Sequence, residues 1–99
     1  MATPIHTHPD AFRTLRDKAA GEFLSNSRSR FRADVKAGLV TQPVKNGRNS
    51  SWPLYELVEI QQARIAGASD NDIRMLVAEL HERRKSLSPH QRLVQEVAA

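Results

Sequence analysis

Apolar side chains recur at helical spacing in four stretches of the chain, and the polar breaks between them carry turn and capping residues. Phe12, Leu15, Ala19, Phe23 and Leu24 predict a first helix over roughly 9–24. Thr7 or His8 is placed to cap it, Pro9 suits its first turn, and Asp10 complements the positive end of its dipole. Gly21 carries two readings, a helix stop or a small interior residue where another helix packs closely. Residues 1–8 lack periodicity and read as a flexible N-terminal arm. A second helix, roughly 27–37, starts from the turn formers Ser25-Asn26-Ser27, puts Phe31 and Val35 on one core face, and stops at Gly38.

Two extended pieces follow, Pro43-Val44-Lys45 and Ser50-Ser51-Trp52, flanking Asn46-Gly47-Arg48-Asn49. Asn46-Gly47 predicts a type I′ turn, in which both central residues take positive φ. Pro43 confines the ribbon to a strand start or sheet edge, so a small two-stranded hairpin with Arg48 at its tip is expected. Trp52 reads as a core residue beneath it. Pro53 opens a third helix with Leu54, Leu57, Val58 and Ile65 as its buried stripe, and Gly67 closes it. Ser69-Asp70-Asn71-Asp72 resembles a capping box with Asp in place of Glu. The fourth helix, about 70–85, has the cleanest amphipathic stripe, Ile73, Leu76, Val77 and Leu80, which reads as packed on the first three helices. Asp70/Arg74 and Glu79/Arg83 are its expected i,i+4 pairs. Ser88-Pro89-His90-Gln91 starts a short C-terminal helix or tail over 88–99, burying Leu93, Val94 and Val97.

At 99 residues the chain is one domain, mostly α, with 9–87 as its folded part. The absence of cysteine excludes disulfides and zinc–thiolate sites, and no apolar run reaches the roughly 18–20 residues of a membrane helix. The N-terminus lacks the apolar stretch of a signal peptide, so a cytoplasmic, bacterial and nucleoid-associated location is expected. No Gly-x-Ser-x-Gly turn, Gly-rich phosphate loop or paired carboxylates are present, so no catalysis and no cofactor are expected. His6, His8, His81 and His90 lack the convergent spacing of a metal site.

Charge changes the picture most. The net charge is +4, yet residues 25–50 alone hold six cations (Arg28, Arg30, Arg32, Lys36, Lys45, Arg48) against Asp34. Residues 1–24 balance to zero and residues 51–99 are slightly acidic. Such a block is the footprint of a polyanion, because each neutralised phosphate releases condensed counterions.

Helix, tight turn, short basic helix, hairpin, helix is the order of a winged helix-turn-helix. A helix fits the major groove, where base edges carry a unique donor and acceptor pattern, and a hairpin reaches the adjacent backbone or minor groove. The candidate contacts to double-stranded DNA are Ser27, Arg28, Ser29, Arg30, Arg32, Ala33 and Lys36 on the helix, and Lys45, Asn46, Gly47 and Arg48 on the wing. Lys36, near the helix end, suits a phosphate, and the arginines suit guanine edges.

The stretch Ser27-Arg28-Ser29-Arg30-Phe31, then Asp34-Val35-Lys36-Ala37-Gly38-Leu39, Pro43-Val44-Lys45, Gly47-Arg48 and Trp52-Pro53 resembles the AlpA-type phage and prophage regulators. These are small proteins with a MerR-like winged helix, and many are excisionases. Ala63-Arg64-Ile65-Ala66-Gly67, followed by Ile73-Arg74 and Leu76-Val77, is similar to their C-terminal helical extension. The resemblance spans about residues 20–85. It implies a transcriptional regulator or an excisionase of a phage or mobile element, one that bends DNA, binds in cooperative copies and, as an excisionase, partners an integrase. Ser25-Asn26 stands where the family usually has Gly in the helix–helix turn, and Asn tolerates left-handed geometry at modest cost. Arg32 stands where the family often has Tyr, which adds a cation and separates this chain from the family's base preferences. The rival from another class is a protein-interaction adaptor or inhibitor that uses the amphipathic helix around residues 70–85.

Overall fold

Residues 12–87 are described by the computed structural model. In chain order they form β1 (Thr14–Leu15), α1 (Asp17–Phe23), α2 (Arg28–Lys36), β2 (Val44–Asn46), β3 (Asn49–Pro53), α3 (Leu54–Ile65) and α4 (Asp70–Ser86). The domain is mostly helical, with a small antiparallel sheet of order β1-β3-β2. The expected arm over 1–8, the caps before residue 11 and the short C-terminal helix over 88–99 lie outside the described residues.

The first helix is shorter than its apolar spacing predicts. Thr14 and Leu15 pair with Pro53 and Trp52, and the Leu54 N–H donates to the Arg13 carbonyl at 2.7 Å. Backbone groups just before Asp17 are thus satisfied across the sheet, and Leu15 reaches the core from a strand. The sheet accordingly has three strands rather than the two expected of the hairpin alone. Phe12, expected in the helix stripe, stays exposed with its ring edge against Tyr55. Phe23, at the end of α1, is also exposed.

α1 and α2 meet through Gly21. A Cβ there would lie 3.1 Å from the Asn26 carbonyl oxygen and 3.3 Å from the Phe31 Cβ, so of its two readings the close helix approach holds. The turn between them is left-handed at Ser25 (φ 61°), not at Asn26. Asn26 instead sends its side-chain amide toward Asp34 (3.3 Å), while its N–H donates to the Gly21 carbonyl (2.8 Å). Ser27 caps α2, its hydroxyl accepting from the Arg30 N–H at 3.1 Å.

In the hairpin, Asn46 pairs with Asn49, leaving Gly47 and Arg48 as the two loop residues. Gly47 has φ 65° and Arg48 does not take positive φ. That is the sign pattern of a type II′ turn and not the predicted type I′, since pairing Asn46 in the strand moves Gly47 to the first central position.

The core centres on Phe31 and Trp52, whose rings meet edge to face at 4.6 Å, and continues through Leu57, Ile60, Ile73 and Leu80. The Trp52 indole N–H donates to the Thr41 carbonyl at 2.7 Å. Beneath it the carboxylate of Glu56, fully buried, accepts from Arg84 at 2.6 and 2.7 Å and from the Thr41 hydroxyl at 2.8 Å. Arg84 also donates to the Gln42 carbonyl (2.7 Å), and the Gln42 N–H donates to His81 Nε2 (3.0 Å). Residues from α3, α4 and the α2–β2 connection thus share one polar cluster under the hairpin.

Pro53 ends β3 and stands at the N-cap position of α3, one residue before the first helical position it was expected to fill, and the predicted stripe is only partly buried. Leu57 is inside, Leu54 and Val58 are half-buried, and Ile65 is 78% exposed because α3 outruns the core at its last turn. On α4, Ser69 and Asp72 form the capping box, and Ile73, Val77 and Leu80 are buried with Leu76 at their edge. Glu79 pairs with Arg83 at 2.8 Å. Asp70, however, pairs with Arg64 of the preceding helix at 2.9 Å. Arg74 turns instead to the Ala37 carbonyl (3.0 Å) and Asn71 (3.3 Å), bracing the end of α2. Among the described residues no helix is long and apolar enough to cross a membrane.

Candidate nucleic-acid interface

All eleven predicted contact residues, Ser27, Arg28, Ser29, Arg30, Arg32, Ala33 and Lys36 on α2 and Lys45, Asn46, Gly47 and Arg48 on the hairpin, are solvent-exposed. The burial of Phe31, Asp34 and Val35 turns the rest of α2 outward, which fixes how its cations are distributed. Residues four apart share a flank and residues two apart diverge by about 200°. Arg28 and Arg32 therefore occupy one flank, Arg30 the other, and Ser29, Ala33 and Lys36 the ridge between them.

The Arg28–Arg32 flank faces α1 and the base of the hairpin. There Arg16, Asp17 and Lys18, Arg28 and Arg32, and Ser50 and Trp52 line a cleft of about 490 Å³. Arg16 donates to the Asn49 side chain, joining the start of α1 to the hairpin. Lys45 donates to Ser50, its directly opposed strand partner, at 2.6 Å, which brings the wing cation to the same cleft. Four cationic side chains thus converge around one carboxylate. Asp17 accepts from Arg32 Nε (3.1 Å) and Nη2 (2.5 Å) and lies 3.6 Å from Arg28 Nε. The Lys18 N–H adds a further bond at 2.7 Å. The Arg32 hydrogen bond is the largest cause holding the Asp17 carboxyl below the usual carboxylate range, against a smaller opposing effect of burial.

Arg30 belongs to a different cleft, of about 250 Å³, lined by Asn26, Asp34, Gln61, Arg64 and Asp70 over an apolar floor that includes Leu39 and Ile60. Its Nε donates to Asp34 at 3.1 Å. The three arginines of α2 are therefore not one patch: two converge with the hairpin and one faces the α3–α4 end. Lys36 and Arg48 have no carboxylate partner among the described residues.

Sequence reasoning missed Arg16, Asp17 and Lys18. Their charges nearly cancel in any count along the chain, and it takes the α1–α2 turn to bring them to the basic helix and the pairing of β1 with β3 to bring them to the hairpin.

Comparison with family models, with curated proteins and with solved structures gives no match for this chain.

Proposed function

We propose that this protein binds specific double-stranded DNA as a winged helix-turn-helix, with α2 as the major-groove helix and the β2–β3 hairpin as the wing. The observation that carries the reading is the convergence of Arg16, Lys18, Arg28 and Arg32 on a cleft at the hairpin base, with Lys45 bonded to its rim. Cations from three elements facing one space match the repeating charge of a phosphate backbone, which sets register while base contacts choose the site. Ser29 and Ala33, small and on the outermost ridge, let the helix approach base edges closely, with Arg28, Arg30 and Arg32 flanking it and Lys36 near its end. A single short helix buries little DNA surface, so binding as adjacent copies is expected. The resemblance to AlpA-type regulators assigns the work to a phage or mobile element. There it regulates transcription or, as an excisionase, bends attachment-site DNA and recruits an integrase.

Fluorescence anisotropy on labelled duplexes over a range of salt tests this. DNA binding through these cations predicts a log–log slope of about −4 to −6, at roughly −0.9 per phosphate neutralised. A flat salt response overturns the reading. Footprinting across the protein's own genomic neighbourhood then separates the two roles: protection in a promoter supports regulation, and arrays beside an attachment site support excision.

A second reading, a protein-interaction adaptor or inhibitor using residues 70–85, draws on Met75 of α4 and Ile65 beside its start, 71% and 78% exposed. It expects the flat salt response.

A further inference from the structure

We infer that Asp17 is a specificity-determining positioning residue: its carboxylate pairs with Arg28 and Arg32, so that a phosphate gains little by displacing it and the two arginines are held for contacts that base sequence sets. This rests on the DNA-binding reading and names a residue that neither charge counting nor the resemblance singles out.

Both arginines of one α2 flank converge on Asp17, and two bonds from Arg32 fall on a single oxygen. The carboxylate is not a loose surface group. It is half-buried, its other oxygen is engaged by the Lys18 N–H, and it sits in the first turn of α1, whose start is tied to Asn49 by Arg16. Nor is it one acid among several. Among the described residues that line the cleft it is the single anion beside four cations, so it occupies the place where a phosphate would otherwise be drawn.

The neighbouring cations differ in kind. Among the described residues Lys18, Lys36 and Arg48 have no carboxylate partner, and Arg16 and Lys45 are bonded only to neutral oxygens. They meet a phosphate at no loss of an ion pair. For Arg28 and Arg32, phosphate binding exchanges one anion for another, with little net gain. A guanine edge is neutral and takes two directed donors, so it can be met by guanidinium N–H groups that the carboxylate leaves unused, Arg32 Nη1 among them, with the ion pair kept. The tether therefore lowers affinity for arbitrary DNA and leaves more of it dependent on sequence.

Asp17→Asn keeps size and removes the charge. Against random-sequence duplex it is expected to bind about 3- to 10-fold tighter, the scale of two partly exposed ion pairs released. Its salt slope should steepen by roughly 0.9 for each arginine freed. Its discrimination ratio, measured with a duplex that the wild-type protein selects from a randomised pool, should fall by at least the same factor. Asp17→Glu, which restores the charge, should recover most of that ratio. Equal or weaker binding of Asp17→Asn to random duplex overturns the inference while leaving DNA binding intact. A wild-type protein with no salt-dependent binding overturns the DNA reading itself.

A measurement on the wild-type chain needs no variant to fold. The Arg32 Nε–H resonance should be slow to exchange in the free protein and unchanged on random duplex, and should shift only on the selected one. A shift of equal size on random duplex overturns the inference.

Discussion

The two ends of this molecule use their cations in opposite ways. On α3 and α4 every basic side chain is spoken for: Arg64 by Asp70, Arg74 by the Ala37 carbonyl, Arg83 by Glu59 and Glu79, Arg84 by Glu56 and Lys85 by Glu82. Around α1, α2 and the hairpin, carboxylates are scarce, and several cations face solvent or neutral oxygens. Charge serves cohesion at one end and availability at the other. A net charge summed over the whole chain hides this, because what distinguishes the ends is where the carboxylates sit.

The sharpest way to break the contrast is to remove a cation that serves the fold. Arg84→Ala strands the fully buried Glu56 carboxylate, and a loss of about 3–5 kcal/mol is expected in urea unfolding. Trp52→Ala, which removes the ring packed on Phe31, should destabilise by a similar ~3–5 kcal/mol. A loss below about 1 kcal/mol in either would make the cluster under the hairpin peripheral to folding. Gly21→Ala comes next. Its Cβ would press on Asn26 and Phe31, and about 1–3 kcal/mol is expected by the same measurement.

Arg30→Ala addresses the other end. Its side chain is 67% exposed and pairs only along its own helix, so stability should move by less than about 1 kcal/mol while selected-site binding weakens. A large drop in the melting transition would instead assign Arg30 to the fold. The smallest effect is on acid stability. Asp17 and Asp70 are each held below the ordinary carboxylate range, chiefly by hydrogen bonds from Arg32 and Arg64. A depressed folded-state pKa stabilises above the unfolded value of about 3.9, and that contribution is lost as pH falls through the folded values. Asp17→Asn should accordingly lower the neutral plateau of a stability–pH profile slightly and shallow the acid limb below about pH 4, the two proteins converging at low pH.

Much of this was legible in the residues. Ser27 and the Ser69–Asp72 box capped the helices they were expected to cap, because a cap is local chemistry read from three or four positions. The α4 stripe and the burial of Phe31 followed from period alone. The failures share a cause: each turned on a partner far away in sequence. Leu15 fits a helix until Trp52 is available to pair with it, and Asp70 fits Arg74 until α3 brings Arg64 nearer. Ile65 has the spacing of a core residue, but no described residue covers it at the end of α3. For the candidate site, the exposure of the basic helix was readable, but its cations read as one surface, and it was not foreseen that Arg30 faces a separate cleft from Arg28 and Arg32. Asp17 was not readable, since its significance comes from two arginines that the α1–α2 turn folds back onto it.

That turn leaves an unspent margin. Ser25 holds a left-handed backbone that glycine accepts without steric conflict, at a conformational penalty of roughly 1 kcal/mol for an L-residue. The corner joining α1 to α2 is thus a tolerated compromise, and the domain keeps headroom for hardening at a position that is not itself one of the charges proposed to meet a nucleic acid.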